Sequence, residues 1–214
     1  MTRHHERFAL EARGLACTRG DRTVFTGLDF ELSNGGLLRI SGPNGSGKTS
    51  LLRLLCGLLS PSQGAIEWNG EPLASLGEDY HGDLAYVGHL NGVKDELDVE
   101  ENLAHAVKFA GLEADAGDLA AALQEFALGD FVRLQCKFLS QGQKRRLALA
   151  RLRLCMAKAL WVLDEPFVAL DGAGVEVVRT LIEQHLAGGG LAVLTTHQEV
   201  PINCADTRRI ELAA

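Results

Sequence analysis

The sequence lacks two features, a long apolar run and closely spaced cysteines. Its most apolar stretch, Leu51–Leu59, is interrupted by Arg53 and is far shorter than the roughly 20 residues of a transmembrane helix. The five cysteines form no Cys-x-x-Cys pair, so neither a disulfide framework nor a zinc site is predicted. Residues Met1–Arg7 contain no apolar core of the kind that signal peptides carry. We therefore expect a cytoplasmic chain.

Positive charge is also in short supply. The chain has 21 Lys and Arg against 28 Asp and Glu, a formal net charge of −7. Proteins that bind nucleic acid usually carry a basic patch that neutralises phosphates, so we expect no nucleic-acid partner. A chain of 214 residues with 46% hydrophobic residues fits one globular unit, and we predict a single domain over residues 1–214.

The apolar pattern predicts an α/β fold with a mixed or parallel sheet core. Residues 8–32 alternate as antiparallel strands do, with a turn at Gly20-Asp21, and Asn69-Gly70 predicts a second tight turn. Short buried strands are expected at 36–41, 160–163 and 191–195, the last two separated by an amphipathic helix over 175–186. Helical patterns fill residues 98–158, where Asp98 and Glu101 resemble a capping box. We predict a helical subdomain inserted at roughly 92–158, beside an antiparallel β subdomain.

A glycine-rich loop provides the first functional motif. Residues 42–49, Gly-Pro-Asn-Gly-Ser-Gly-Lys-Thr, match GxxxxGK[ST] between a predicted strand and a helix, where Leu51, Leu54, Leu55 and Leu58 recur at helical spacing. Backbone N–H groups of such a loop surround phosphates, the Lys48 ammonium neutralises them, and the Thr49 hydroxyl binds Mg²⁺. The predicted nucleotide-binding residues are Gly42, Pro43, Asn44, Gly45, Ser46, Gly47, Lys48, Thr49 and Ser50.

Two carboxylates follow the buried strand at 160–163. The carboxyl ends of parallel strands are where ligands gather in α/β sheets, so Asp164 is predicted to orient Mg²⁺ and Glu165 to activate the attacking water. By themselves two acids could equally end a strand and cap the next element. Together with the phosphate loop, they indicate nucleotide hydrolysis.

The segment Leu139-Ser-Gln-Gly-Gln143 and the basic helix after it resemble the LSGGQ signature of the ABC ATPase family, and the likeness spans nearly the whole chain. The resemblance implies the P-loop NTPase fold of that family and a head-to-tail dimer. Ser140, Gly142 and Gln143 would then contact the ATP of the second subunit. Residues 169–171 are similar to the D-loop of the family, and His197, after Thr195-Thr196, to its switch histidine, which would contact the γ-phosphate.

Three positions depart from the family pattern. His89 stands where the family places its Q-loop glutamine, and we expect it to act near the attacking water or Mg²⁺. Arg19 replaces the aromatic residue that stacks on adenine, so Arg19 or Phe25 would have to contact the base. Gln141 replaces one signature glycine. The other five histidines are interpreted as structural or surface residues: His4, His5, His81, His105 and His185.

The residues around His89 and His197 further resemble the branch of the family that serves bacterial cytochrome c maturation. This resemblance implies a peripheral subunit on the cytoplasmic face of the inner membrane, powering heme export or delivery with integral membrane subunits resembling CcmB and CcmC. No direct heme binding by this chain is expected, because no heme-ligand motif is present. Export of a drug, lipid or ion is the alternative.

Two functions of other classes fit less well. A DNA-maintenance ATPase with a long coiled coil would need more chain between Lys48 and Asp164. A regulatory nucleotide-binding module without turnover would lack Glu165 or His197, and both are present.

Overall fold

The computed structural model describes residues 8–213. The predicted domain limits, 1 and 214, and the interpretation of His4 and His5 therefore lie outside the described residues. Within the described part, the strands in chain order are β1 Ala9–Arg19, β2 Arg22–Ser33, β3 Gly36–Ser41, β4 Gln63–Trp68, β5 Glu71–Pro72, β6 Leu84–Val87, β7 Leu160–Asp164, β8 Leu191–Thr195 and β9 Asp206–Glu211.

Four of these strands form an antiparallel sheet in the order β2-β1-β4-β5. The predicted turn at Gly20-Asp21 joins β1 to β2, and Asn69-Gly70 joins β4 to β5. Asn69 and Gly70 have φ angles of 53° and 82°, which Asn and Gly tolerate and tight hairpins require. The antiparallel β subdomain is therefore confirmed.

The other five strands form a parallel sheet in the order β6-β7-β8-β3-β9. All three strands that the pattern predicted here are present, and β7, β8 and β3 are direct neighbours. Since parallel strands end at the same edge, the segments that follow these three strands lie side by side. This arrangement brings the phosphate loop, Asp164-Glu165 and residues 195–197 to one edge of the sheet.

Helices cover the parallel sheet and fill the long segment between β6 and β7. In chain order they are α1 Lys48–Leu55, α2 Leu73–Leu76, α3 Glu78–Asp83, α4 Val99–Phe109, α5 Ala116–Glu125, α6 Gln141–Leu154 and α7 Gly172–Ala187. The inserted helices α4, α5 and α6 each begin at a capping box, with Asp98, Asp115 and Ser140 as the N-caps. Such caps stabilise a helix by about 1 kcal/mol each, which explains where these helices start.

The buried side chains form two apolar clusters, one on each face of the parallel sheet. One lies among the sheet, α1 and the antiparallel sheet and includes Leu38, Leu51 and Val162. The other lies between the sheet, the inserted helices and α7 and includes Leu103, Leu149 and Trp161. The strand β7 is buried along its whole length, so the segment after it begins from a rigid support.

One detail of the predicted first helix is wrong. We expected Leu58 to continue the apolar face of α1, but the helix ends at Leu55 and the Leu58 side chain is 61% exposed. Gly57 adopts φ 68°, and the Leu58 N–H donates to the Arg53 carbonyl at 2.9 Å. This is the glycine-terminated helix end known as the Schellman motif, and it turns the chain away before Leu58.

Candidate functional site

The phosphate loop lies between β3 and α1, as the motif predicts. Gly47 has φ 100° and precedes the first helical residue, and a side chain at Gly47 would overlap Val24, so glycine is required there. Lys48 Nζ donates to the Gly42 carbonyl at 2.7 Å and to the Pro43 carbonyl at 3.1 Å. The Lys48 ammonium, which would neutralise phosphate, thus joins the start of the loop to its end. The first amides of α1 have no partners within the helix and are available to an anion.

The loop residues border an open cleft of about 590 Å³ at the edge of the parallel sheet. Six of the nine predicted nucleotide-binding residues line it: Asn44, Gly45, Gly47, Lys48, Thr49 and Ser50. Of the other three, Gly42 and Pro43 accept the hydrogen bonds from Lys48, and the Ser46 hydroxyl is buried without a hydrogen-bond partner among residues 8–213. The cleft has room for a nucleotide, which needs several hundred cubic ångströms.

Asp164 connects the phosphate loop to the end of β8. Its side chain is 3% exposed. Oδ2 accepts from the Thr49 hydroxyl at 3.1 Å, and Oδ1 accepts from the Thr195 hydroxyl at 2.7 Å. A carboxylate and a hydroxyl in contact beside a phosphate loop are the hard oxygen ligands that Mg²⁺ prefers together with phosphate oxygens, so these residues fit the ion.

Glu165 adopts a backbone conformation that is uncommon for a residue with a side chain. Its φ is 50°, in the left-handed region. The Glu165 N–H donates to the Thr195 hydroxyl oxygen at 2.9 Å, and its Oε2 accepts from the His197 N–H at 3.3 Å. Oε1 lies 3.4 Å from His197 Nε2 and accepts no hydrogen bond from the described residues. One carboxylate oxygen of Glu165 is therefore buried beside His197 without a hydrogen-bond donor among the described residues.

Both histidines that the sequence assigns to the site line the same cleft. His89 and His197 both border it, together with Arg19, Arg22 and Val24. Phe25, the other candidate for an adenine contact, is absent from the lining. The lining of the cleft therefore includes two arginines, while the Phe25 ring lies behind it, 3.2 Å from where a Cβ of Gly47 would be.

The signature residues lie apart from the cleft of their own chain. Ser140 caps α6, with Gln143 N–H donating to the Ser140 hydroxyl at 3.2 Å and Ser140 N–H donating to the Gln143 side chain at 2.8 Å. A side chain at Gly142 would come within 3.1 Å of the Ala169 carbonyl. Neither Ser140, Gly142 nor Gln143 lines the cleft. The structure therefore brings the phosphate loop and the two carboxylates together in one cleft, while the signature residues lie outside it.

Sequence reasoning missed two residues at the site. Thr195 is fully buried and bonds to both Asp164 and Glu165, but the sequence marked it only as the neighbour of His197. Arg145 is 5% exposed and donates to the Asp164 and Glu165 carbonyls at 2.8 and 2.7 Å. Burial lowers the pKa of the Arg145 guanidinium, and the nearby charges of Asp164 and Glu165 partly offset this.

Three further histidines of the described part of the chain lie outside the cleft, in packed or exposed positions. His185 is buried, stacks on Trp161 with ring centroids 4.2 Å apart, and has Nε2 3.0 Å from the Leu191 carbonyl. His81 Nε2 lies 3.2 Å from the Cys56 carbonyl, and His105 is an exposed residue of α4. The structural interpretation of these three residues is confirmed.

Comparison with known proteins identifies the family. The ABC transporter family matches residues 25–168. The cytochrome c biogenesis ATP-binding export protein CcmA of Nitrosospira multiformis is 51% identical over 203 residues, covering 95% of this chain and 98% of the relative. The protein of the same name from Dechloromonas aromatica is 50% identical, covering 95% and 99%.

Solved structures agree with this assignment. An ABC transporter ATP-binding protein from Pyrococcus furiosus superimposes with a TM-score of 0.80 at 27% identity, covering 94% of this chain and 96% of that one. An ATP-binding subunit of an ABC transporter gives 0.78 at 28% identity, covering 88% and 79%. The chain therefore belongs to the ABC transporter family as an ABC-type ATPase, and within that family it groups with the CcmA proteins.

Proposed function

We propose that this chain hydrolyses ATP with Glu165 as the general base, and that the hydrolysis powers a heme export or delivery step of bacterial cytochrome c maturation. The observation that carries the catalytic part is the geometry at Glu165. Its Oε1 is buried, accepts no hydrogen bond from the described residues and lies 3.4 Å from His197 Nε2. Glu165 and His197 line the same cleft as Lys48 and Thr49. The cytochrome c part rests on the names and the high identity of the relatives.

Each of four residues of the cleft would have a separate role in the reaction. Lys48 would exchange its bonds to the loop carbonyls for bonds to the β- and γ-phosphate oxygens. Glu165 Oε1 would accept a proton from water as the water oxygen attacks the γ-phosphorus and the bond to the ADP oxygen breaks. His197 would donate to the γ-phosphate and keep the water between itself and Glu165. His89, at the edge of the cleft, would contact the same water or its neighbours.

Mg²⁺ would be held by the Thr49 hydroxyl and, directly or through water, by Asp164. When bound, the ion neutralises charge on the phosphate oxygens. Asp164 is suited to this role because Thr49 and Thr195 already fix its two oxygens. Its orientation therefore does not have to change when nucleotide binds.

We further propose that two copies of the chain assemble head to tail. Ser140, Gly142 and Gln143 present the N-terminus of α6, where the helix dipole and free amides attract an anion, and these residues do not line the cleft of their own chain. The γ-phosphate of an ATP bound to a second copy would accept hydrogen bonds from the free amides at this helix end. Each ATP would then be enclosed by the phosphate loop of one copy and the signature of the other.

The chain would lie on the cytoplasmic face of the inner membrane as a peripheral subunit, bound to integral subunits resembling CcmB and CcmC. No helix within residues 8–213 is long and apolar enough to cross a membrane. We expect the contact near His89, where the adjacent Leu90 side chain is 85% exposed.

Purification from native membranes tests the transport part of the proposal. The chain, carrying an affinity tag, is extracted with its integral partners, which are then identified by mass spectrometry, and heme in the preparation is measured by absorption. We expect permease subunits of the cytochrome c maturation type. A permease of a drug, lipid or ion exporter in their place would contradict the heme assignment but leave the ATPase assignment intact.

A further inference from the structure

Three consecutive basic residues near the start of α6 reach three different segments. Lys144 Nζ lies 2.5 Å from Asp95 Oδ1, and Arg146 Nη2 lies 2.6 Å from Asp171 Oδ2. Both of these pairs include an exposed carboxylate, and such surface pairs contribute little to stability. Arg145 between them points inward and is 5% exposed, so its partners require a separate explanation.

The acceptors of Arg145 are concentrated at the catalytic edge of the sheet. Nη2 donates to the carbonyls of Asp164 and Glu165 at 2.8 and 2.7 Å. Nη1 donates to the Gly88 carbonyl at 3.0 Å and the Asn91 side-chain oxygen at 3.3 Å. One guanidinium thus joins the signature helix, the end of β7 and the segment that carries His89. Its rigid fork suits such simultaneous contacts, which a lysine ammonium cannot reproduce.

The backbone of Glu165 depends on these contacts. Its left-handed φ of 50° is held on one side by the N–H bond to Thr195, and on the other by bonds from Arg145 and the Val168 N–H, at 3.3 Å, to the Glu165 carbonyl. Without Arg145, the Glu165 carbonyl would keep only the longer of these two bonds, the one from the Val168 N–H. The direction of the Glu165 side chain follows from this peptide conformation.

We propose that Arg145 is a positioning residue for ATP hydrolysis, which fixes the peptide of Glu165 and the segment of His89 to the first turns of α6. A displacement of the signature end of α6 would then be transmitted to the carboxylate that activates water. This inference rests on the proposed role of Glu165 as general base. It assigns Arg145 no contact with ATP itself.

Arg151 offers a matched comparison within the same helix. It donates to the backbone carbonyl of Tyr86 in β6, and burial lowers its pKa as it does for Arg145. Arg151 has no bond to Asp164, Glu165 or the residues around His89 among the contacts of the described chain. Replacement of either arginine by lysine keeps the charge and removes the fork, but only the Arg145 change affects the catalytic edge.

The test measures ATP binding and turnover separately for Arg145→Lys and Arg151→Lys in the full chain, with thermal unfolding as a check of folding. We expect Arg145→Lys to lower kcat by about tenfold or more while the Kd for ATP changes by less than about threefold. Arg151→Lys should keep both constants near the wild-type values at a comparable unfolding temperature. Millimolar guanidinium should restore part of the turnover of Arg145→Ala, if that variant folds, but not alter Arg151→Ala.

Equal loss of turnover in both lysine variants, or wild-type turnover in Arg145→Lys, would overturn the proposal. Glu165→Gln, measured in parallel, separates this failure from a failure of the proposed function. If Glu165→Gln retains wild-type turnover, the general-base assignment itself is wrong. If Glu165→Gln is inactive while Arg145→Lys is fully active, only the positioning role of Arg145 is wrong.

Discussion

The hydroxyl of Thr195 donates to Asp164 Oδ1 at 2.7 Å, and the oxygen of that hydroxyl accepts a hydrogen bond from the backbone N–H of Glu165 at 2.9 Å. A single buried hydroxyl therefore orients both acids at the end of β7. Thr195→Val keeps the shape but leaves the Glu165 N–H without its partner, which costs about 1–3 kcal/mol. We expect a fall of that size in the free energy of unfolding, measured in urea, together with reduced turnover.

Thr18→Val is the control for that change, since the Thr18 hydroxyl makes one exposed bond, to Ser62 at 3.3 Å. Its stability should remain within about 0.5 kcal/mol of the wild type. A Thr195→Val protein as stable and active as the wild type would show that the hydroxyl does not orient the acids.

Lys48→Ala should weaken ATP binding, because the ammonium is the one cation of the phosphate loop. Charge-assisted hydrogen bonds contribute about 1.5–3 kcal/mol each, so loss of one or two raises the Kd by at least about tenfold. Titration calorimetry with ATP measures this change. Lys108→Ala, on the exposed side of α4, should bind as the wild type does, and equal affinities for the two variants would contradict the assignment of Lys48.

Ser140→Asp tests whether the signature serves the ATP of a second copy. Aspartate is as good an N-cap as serine, so α6 stays intact, but its charge would repel a γ-phosphate. We expect ATP binding by the chain to persist and turnover to be lost. Ser140→Asn, an uncharged cap, should retain more activity.

Mixing Ser140→Asp with Lys48→Ala chains extends this test. Neither variant alone would form a complete site, but a mixed pair would form one, from the loop of the first and the signature of the second. Turnover should therefore appear on mixing. If the mixture is as inactive as its components, the head-to-tail arrangement is contradicted.

His185 makes stability depend on pH. Burial against Trp161 lowers its pKa from 6.5 to about 4, so folding favours the neutral ring. The contribution of the neutral His185 ring to the free energy of unfolding is fully present above pH 6.5. It is lost as the pH falls from 6.5 to 4, and the loss reaches about 3 kcal/mol near pH 4. The unfolding free energy of His185→Phe should fall less steeply between pH 6.5 and 4, whereas that of His105→Gln, at an exposed position, should follow the wild type. Parallel curves for all three proteins would show that His185 does not carry this dependence.

Features set by neighbouring residues could be predicted from the sequence. The phosphate loop, the N-cap Asp98 and the turn at Asn69-Gly70 each depend on a few adjacent positions, and the structure contains all of them. The predicted continuation of α1 to Leu58 is wrong, because the apolar spacing extends to Leu58 whereas the glycine at position 57 ends the helix.

Features set by distant pairing could not be predicted. Thr195 meets Asp164 because β7 and β8 pair in the register Asp164 with Thr195, which no local pattern specifies. Arg145 lies within Lys-Arg-Arg, a run that typically indicates a solvated helix face. Its inward direction follows from the packing of α6 against the end of β7, and the charge pattern contains no signal for it.

Glu165→Gln tests the central claim most directly. Glutamine keeps the size and the hydrogen bond from the His197 N–H but cannot accept the proton from water. With full ATP binding, kcat should fall by about 10²–10⁴, the usual contribution of a general base, while Glu113→Gln, at an exposed position, retains wild-type turnover. A Glu165→Gln protein that hydrolyses ATP at the wild-type rate would contradict the account.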